Sequence, residues 1–285
     1  MTAPTNLTVT KVQIKTGLIA LGLEGKSVGV HSSLSSFGYV EGGARTVVRA
    51  LLAVCSTVLM PTFSSIGRTI PPANDRPKQN GCDYEYFHTI LPTMEITPFD
   101  PDTFGVDSQI DRDMGIIPKT LLQTSGTVLS KHPSVSWAAN GRDVASYVHP
   151  HPPDDPMRPL KKLYEANGYV LMIGVPLSEC TALHLAEEMA GRRAFIRWTL
   201  YSDGVVRRMR EYGCSGGFPN LEPYLEPFAN RLRIGACNAV AYPIRALVDT
   251  GAEIMLRSPE ITLCPQSKAG KSCRCSDAAR GGPIE

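Results

Sequence analysis

The chain has 285 residues, of which 42% are hydrophobic, and it carries a formal net charge of only +2. This length suits one large domain or two modest ones, each with a sizeable core. A charge so close to zero does not favour nucleic acid or an anionic membrane as the partner. The longest apolar stretch, residues 169–175, is far below the roughly 20 residues that span a bilayer.

The first ten residues are polar and lack the basic flank and apolar run of a secretory signal. We therefore expect a cytoplasmic protein. Eight cysteines in a chain of this length do not reach the density of a disulfide scaffold, so most are expected to be reduced thiols.

Strand and helix patterns alternate along the chain, which favours an α/β fold. In chain order, helices are predicted at residues 11–22, 44–54, 114–123, 138–147, 180–190, 221–229 and 242–251. Strands are predicted at residues 27–30, 57–60, 169–175, 195–201 and 205–210. The last two strands flank Ser202-Asp203-Gly204, so they are predicted to form a β-hairpin.

Residues 64–113 are rich in proline and glycine and show no regular pattern. Such a segment is typical of structure that covers an active site, and a disordered insertion is the alternative. Residues 262–285 are polar and Gly-rich, so we expect a loosely ordered end. The prediction is one domain over residues 1–262, with residues 64–113 as its covering segment, and a Cys/Gly-rich tail over residues 263–285.

A serine-rich loop follows the first long strand pattern. Residues 31–38 contain four serines and end at Gly38, and Gly42-Gly43 precede the next helix. Backbone N–H groups and hydroxyls in such a loop can bind phosphates or pantetheine amides. A plain connection between strand and helix is the competing interpretation. His31 lies at the carboxyl end of the strand, where α/β sites usually form.

A histidine and a carboxylate share one face of the helix predicted after the strongest strand. His184 and Glu187 are three residues apart. A carboxylate beside an imidazole fixes its tautomer and raises its basicity, as a general base requires. A surface pair on an amphipathic helix is the alternative. A zinc-protease helix is excluded, because the segment lacks a second histidine.

Two further clusters contain side chains that could bind a phosphate or a metal ion. Lys131, His132 and Ser136 occur in a loop that could hold a phosphate, although exposed loops often have this composition. Cys264, Cys273 and Cys275 could bind a structural zinc if a fourth ligand such as Cys214 joined them. Their spacing matches no common zinc motif, so free thiols are the favoured interpretation.

Several short motifs follow one another along the chain: residues 30–38 (VHSSLSSFG), 42–44 (GGA), 59–63 (LMPTF), 114–115 (MG), 130–136 (SKHPSVS), 163–175 and 181–187 (TALHLAE). In this order, the chain from residue 10 to residue 255 resembles the aminoglycoside 3-N-acetyltransferase family. The resemblance implies the α/β antibiotic N-acetyltransferase fold, with a mixed central sheet flanked by helices. It also implies acetyl-CoA as donor, an amine of an aminoglycoside as acceptor, and antibiotic resistance as the result.

The resemblance assigns roles to individual residues. His184 matches the catalytic imidazole, with Glu211 or Glu187 to orient it, and His31 is a residue that shapes the site. The implied cofactor contacts are Ser32, Ser33, Leu34, Ser35, Ser36 and Phe37, together with Lys131, Ser136 and Thr181. No metal is implied for the reaction.

An enzyme that binds a polycationic drug is expected to present acidic residues after Glu211, but Gly213 and Cys214 stand there. A different amine, a metabolite or a peptide, therefore stays open as the acceptor. An inactive homologue that binds coenzyme A stays open too, whereas a serine hydrolase is disfavoured because no Gly-x-Ser-x-Gly occurs. The expected partners are acetyl-CoA and a small amine, without nucleic acid or membrane, and a homodimer is an option.

Overall fold

The computed structural model describes residues 8–90, 95–108, 110–268 and 273–285. A seven-stranded mixed sheet forms its centre, in the order β10-β11-β7-β2-β4-β6-β5. The strands of this sheet are β2 (Ser27–Ser32), β4 (Thr57–Pro61), β5 (Val128–Leu129), β6 (Trp137–Gly141), β7 (Tyr169–Ile173), β10 (Asn230–Ile234) and β11 (Cys237–Pro243). β7, β2 and β4 run parallel, and the remaining neighbours pair antiparallel.

Helices cover both faces of this sheet. The helices of the described residues are α1 (Lys11–Ala20), α2 (Gly43–Val54), α3 (Tyr84–Ile90), α4 (Ile116–Leu122), α5 (Val144–Val148), α6 (Arg158–Glu165), α7 (Ala182–Met189), α8 (Glu222–Leu225), α9 (Ile244–Arg257), α10 (Pro265–Lys268) and α11 (Cys275–Ala279), and α1, α2, α4, α6, α7 and α9 are among those that pack on the sheet. The short strands β1 (Thr8–Val9) and β3 (Tyr39–Val40) pair with each other. The expected α/β fold with a mixed central sheet is confirmed.

The sheet separates two apolar cores. Leu171 and Ile173 of β7 pack with α1, α2 and α4, whereas Val170 and Met172 pack with α6, α7 and α9. Successive side chains of a strand point to opposite faces, so a strand covered on both sides must be apolar at every position. This is why residues 169–175 form the strongest strand pattern in the sequence.

Three sequence predictions of helices are corrected. The helix predicted at residues 138–147 is strand β6 followed by the short α5, because β6 pairs along its length with β4. The helix predicted at residues 221–229 is interrupted by Pro223 and Pro227, which leave only α8 and two 3-10 turns. The helix predicted at residues 242–251 begins at Ile244 and ends at Arg257, and strand β11 includes Tyr242.

The predicted hairpin is present as β8 (Phe195–Leu200) and β9 (Val206–Glu211), separate from the main sheet. The covering segment lies against it, since Thr69 N–H donates to the Trp198 carbonyl at 3.0 Å and Phe99 N–H to the Leu200 carbonyl at 2.8 Å. The described residues of the segment are largely irregular, and these contacts hold them against the hairpin.

Residues 273–285 of the tail are also held against the rest of the chain by specific contacts. Ile284 pairs with Lys78, and Glu285 forms ion pairs with Arg208 and Arg210. The expectation of a loosely ordered end is therefore wrong for residues 273–285. Within the described ranges, no helix has the length and apolar character that crossing a bilayer requires.

Close packing between α7 and α9 fixes the helix that carries His184. A Cβ at Gly251 would lie 3.1 Å from Ala186 Cβ and 3.2 Å from Leu183 Cδ2. We expect Gly251→Val to lower the free energy of unfolding by about 1–3 kcal/mol, because the added methyl groups overpack this contact. Glu253→Val, on the exposed side of the same helix, is the matched control for urea unfolding. Equal stability of the two variants would contradict close contact between α7 and α9.

Candidate active site

A cleft with a volume of ≈ 1330 Å³ lies at the carboxyl edge of the parallel strands. β2 and β4 pair in parallel, as do β2 and β7, so their last residues reach the same edge. The cleft walls come from residues 30–35, 61–68, 111–118, 174–184 and 211–215. An α/β sheet usually binds its ligands at this edge, where loops from several strands converge.

The serine loop, residues 31–38, forms one wall. His31, Ser32, Ser33, Leu34 and Ser35 line the cleft. Ser33 N–H donates to the Ile173 carbonyl at 3.0 Å, which ties the loop to the end of β7. Ser32 Oγ is buried and has no hydrogen-bond partner among the described residues. An unsatisfied hydroxyl at a cleft suits a site that a ligand completes.

Four of the predicted cofactor contacts do not line the cleft. Phe37 is buried in the apolar core, and Ser36 Oγ donates to the Ser33 carbonyl at 2.7 Å within its own loop. Ser136 Oγ donates to the Thr62 carbonyl at 2.6 Å, and Lys131 is exposed elsewhere. Both predicted loops contribute residues to the cleft, but the sequence could not show which of their side chains face inward.

His184 reaches the cleft from the first turn of α7. Its Nδ1 lies 2.6 Å from Oε2 of Glu187, and Oε1 of Glu187 accepts from Arg192 Nη1 at 2.8 Å. Arg192 also donates to Thr262 Oγ1 at 2.7 Å and to the Pro259 carbonyl at 2.8 Å. Glu187 and Arg192 are both buried, so the carboxylate is paired on each side and its orientation is fixed.

Two aromatic rings hold the imidazole in place. Tyr212 stacks on His184 at a centroid distance of 5.3 Å and an angle of 17°, and Phe218 contacts it edge-on at 4.8 Å. Since Nδ1 is engaged by Glu187, Nε2 is the nitrogen that can act on a bound substrate. The ring is therefore oriented by a carboxylate and confined by two aromatic side chains, as a general base requires.

Glu211 lines the cleft but has different partners. It forms ion pairs with Arg68 and with Arg197, and it accepts a hydrogen bond from Ser134 Oγ at 2.8 Å. Burial alone would raise its pKa, but the two guanidinium groups and the hydroxyl outweigh burial and hold the pKa at about 2. In the described structure no hydrogen bond joins Glu211 to His184. Of the two carboxylates left open by the sequence, Glu187 is the one that orients His184.

The other histidines near the cleft have structural environments. Burial lowers the pKa of His31 to about 4, so its imidazole is neutral at pH 7, and it packs edge-on against Trp137. Nδ1 of His132 accepts the N–H groups of Ser134 and Val135 at 3.1 and 3.0 Å. The loop predicted to hold a phosphate is thus closed by His132, and it presents Ser134 to Glu211.

Acidic side chains line the cleft at a place the sequence analysis did not indicate. Asp111 and Asp113, from the end of the covering segment, and Glu179, from the turn before α7, all face it. Burial raises the pKa of Asp111. The one arginine among the lining residues, Arg68, is paired with Glu211. The described lining therefore offers unpaired carboxylates to a cationic ligand.

Sequence reasoning missed the groups that support the site. Arg192 follows the end of α7 and meets Glu187 only because the chain turns back at Gly191. Arg68 and Arg197 reach Glu211 from sequence separations of 143 and 14 residues. Tyr212 was visible as the neighbour of Glu211, but no pattern indicated its contact with His184.

The arginine pairs of Glu211 predict how stability depends on pH. The pKa is depressed from 4.5 to about 2, so the stabilisation is present above pH 4.5 and is lost as the pH falls through about 2. This shift corresponds to about 3 kcal/mol. We expect Glu211→Gln to lower the free energy of unfolding at pH 7 and to flatten its fall between pH 4.5 and pH 2. Urea unfolding across this pH range measures the free energy, with the exposed Glu24→Gln as the control. If the free energy of unfolding of Glu211→Gln falls between pH 4.5 and pH 2 as steeply as that of the unaltered protein, the prediction is wrong.

Comparison with known proteins is consistent with this architecture. Residues 30–256 match the family model described as "Aminoglycoside 3-N-acetyltransferase". The chain is 35% identical to aminoglycoside N(3)-acetyltransferase VII of Streptomyces paromomycinus, over 64% of this chain and 61% of that protein. It is 34% identical to aminoglycoside N(3)-acetyltransferase IX of Micromonospora chalcea, over 70% of this chain and 68% of that protein.

A solved structure described as AAC-IIIb binary with CoASH shares the fold, with a TM-score of 0.71 and 25% identity over 88% of this chain and 97% of that chain. The match to the Streptomyces relative spans less than two thirds of that relative's length, namely 61%. The family model covers most of the present chain, including the serine loop and α7. The chain therefore belongs to the aminoglycoside 3-N-acetyltransferase family.

Proposed function

We propose that the chain transfers the acetyl group of acetyl-CoA to an amine of an aminoglycoside, and thereby confers resistance. The observation that carries the proposal is the buried His184–Glu187 pair, with Nε2 of His184 left to act in a large cleft. The amine is the 3-amino group in the named relatives. No metal takes part in the proposed chemistry.

In the proposed reaction the neutral amine attacks the thioester carbonyl directly. A bond forms between nitrogen and the acetyl carbon, and the bond between that carbon and sulfur breaks. Nε2 of His184 takes the proton that the nitrogen loses and returns it to the departing thiolate of coenzyme A. Glu187 stabilises the imidazolium that exists between these two transfers. Backbone N–H groups of the serine loop are suited to stabilise the oxyanion.

The lining of the cleft supports a polycationic acceptor. Asp111, Asp113 and Glu179 supply the negative charge that the segment after Glu211 lacks. Carboxylates around a cleft raise the local concentration of a cationic ligand and orient its ammonium groups. A simpler amine would need fewer of these contacts, so the alternative acceptor is disfavoured by this arrangement.

The serine loop is the proposed contact for the pantetheine arm of coenzyme A, through Ser32, Ser33 and Ser35, together with Thr181, which also lines the cleft. A related structure is named as a complex with CoASH, which supports this donor. We place the reaction in the cytoplasm, where thiols stay reduced. One acetyltransferase domain over residues 1–262 and a homodimer remain predictions, and limited proteolysis and the mass in solution test them.

We expect His184→Ala to reduce kcat for acetyl transfer by about 10²- to 10⁴-fold, the usual contribution of a general base. Release of the coenzyme A thiol, with aminoglycosides and simple amines as acceptors, measures the rate. The exposed His88→Ala is the matched control. If His184→Ala stays within about threefold of the unaltered protein, His184 is not the base.

Glu187→Gln tests the orientation of the imidazole. The amide cannot stabilise an imidazolium and leaves Arg192 without its charge partner, so we expect kcat to fall at least about tenfold, with little change in KM for acetyl-CoA. Glu165, an exposed carboxylate on α6 that pairs with Lys162, serves as the control, since Glu165→Gln should stay within about twofold. Equal effects of the two substitutions would show that the loss is not specific to the contact with His184.

A further inference from the structure

Three cysteines near the end of the chain and one distant cysteine meet beside the active site. Sγ atoms of Cys214, Cys264, Cys273 and Cys275, here called the cysteine cluster, all lie within 4.8 Å of one another. They come from three segments: the residues after β9, the turn before α10, and the start of α11. Residues 263–275 alone hold three thiols, and the fold brings Cys214 to them as the fourth.

The spacing of the thiols matches a tetrahedral metal site. Sγ of Cys264 and Sγ of Cys275 are 3.7 Å apart. Four sulfurs at about 2.3 Å from a central zinc are separated from each other by about 3.8 Å. A disulfide needs about 2.05 Å between sulfurs, and at most two such bonds could form among four thiols.

The backbone around the cysteine cluster is arranged to stabilise thiolates. Gly216 N–H donates to Cys214 Sγ at 3.3 Å, and Cys264 N–H donates to Cys275 Sγ at 3.4 Å. Such N–H groups beside sulfur ligands disperse the negative charge of a four-thiolate site. The segment after Cys214 approaches the segment before Cys264 closely. Glycine is required at position 217, because a Cβ there would lie 2.0 Å from the Thr262 carbonyl oxygen.

We propose that the cysteine cluster binds one zinc ion as a structural site. Four thiolates complete a tetrahedron and leave no open position for water or substrate, so the ion takes no part in the chemistry. Binding displaces the thiol protons into solvent, and no oxidant or reductant is needed.

The cysteine cluster also has direct links to the catalytic pair, and this part of the inference rests on the proposed function. Cys214 follows Tyr212, which stacks on His184, by two residues. Cys264 follows Thr262, which accepts from Arg192, by two residues. A zinc ion at the cluster thus fixes both segments that hold the His184–Glu187 pair, and the cluster positions these residues without touching the substrate.

The first test is metal analysis of the full chain purified without chelator. We expect one zinc per chain by mass spectrometry of the elements, and X-ray absorption showing four sulfurs at about 2.3 Å. Cys214→Ser should lose zinc, whereas Cys55→Ser, at a buried cysteine outside the cluster, should retain it. Iron in place of zinc, a disulfide, or no metal with free thiols would each overturn the proposal.

If the Cys214→Ser chain fails to fold, a second variant tests the same site. Cys214→His keeps a zinc ligand and should retain the metal, and replacing zinc with cobalt should give the visible bands of tetrahedral thiolate coordination. The absence of these cobalt bands from the unaltered chain would overturn the site.

The link to catalysis is tested by removing zinc with a chelator and restoring it. We expect kcat to fall up to about a hundredfold as Tyr212 and Arg192 shift, and to recover with zinc, while KM for acetyl-CoA changes little. Activity unaffected by complete zinc removal would overturn the positioning role. Metal content and cobalt spectra require no acetyl transfer, so the zinc site can succeed or fail separately from the proposed function.

Discussion

The buried carboxylate of Glu187 is the interaction on which the site depends. One oxygen holds Nδ1 of His184, and the other is held by Arg192. A buried carboxylate with only one of these partners would be unstable, because desolvation of a charge is costly unless it is paired. Arg192 in turn is anchored by Thr262 and the Pro259 carbonyl, so the imidazole is oriented by residues from the far end of the chain.

Glu211 is also a buried carboxylate that is paired with arginine, but it joins separate segments of the chain rather than orienting an imidazole. The covering segment has little regular structure, yet it must form a wall of the cleft. Arg68 from that segment and Arg197 from β8 both bind the Glu211 carboxylate, and Ser134 adds a hydroxyl from a third loop. The covering segment, strand β8 and the loop that carries Ser134 are therefore joined at one buried charge. The two acidic residues that the sequence left as alternatives thus have separate roles.

The spacing of apolar and polar residues along the chain predicted the parts of the fold that depend on local periodicity. The apolar run at residues 169–175, the amphipathic α2 and the Asp-Gly hairpin were all found near their predicted bounds. The prediction failed at β6 and β11. Their strand character comes from pairing with β4 and β7, which are distant in sequence. Helix and strand patterns are ambiguous in short apolar runs, and the partner strand decides between them.

For the site, the sequence by itself determined the chemical groups and their local spacing. His184 and Glu187 lie three residues apart on one helix, and spacing alone makes them neighbours. The serine loop likewise follows directly from the end of β2. The tertiary structure decided everything that depends on segments meeting: Arg192 and Thr262 at Glu187, Tyr212 over His184, the acidic lining, and Cys214 at the other three thiols. These contacts join residues whose separation along the chain carries no periodic signal, so only the folded path of the backbone could bring them together.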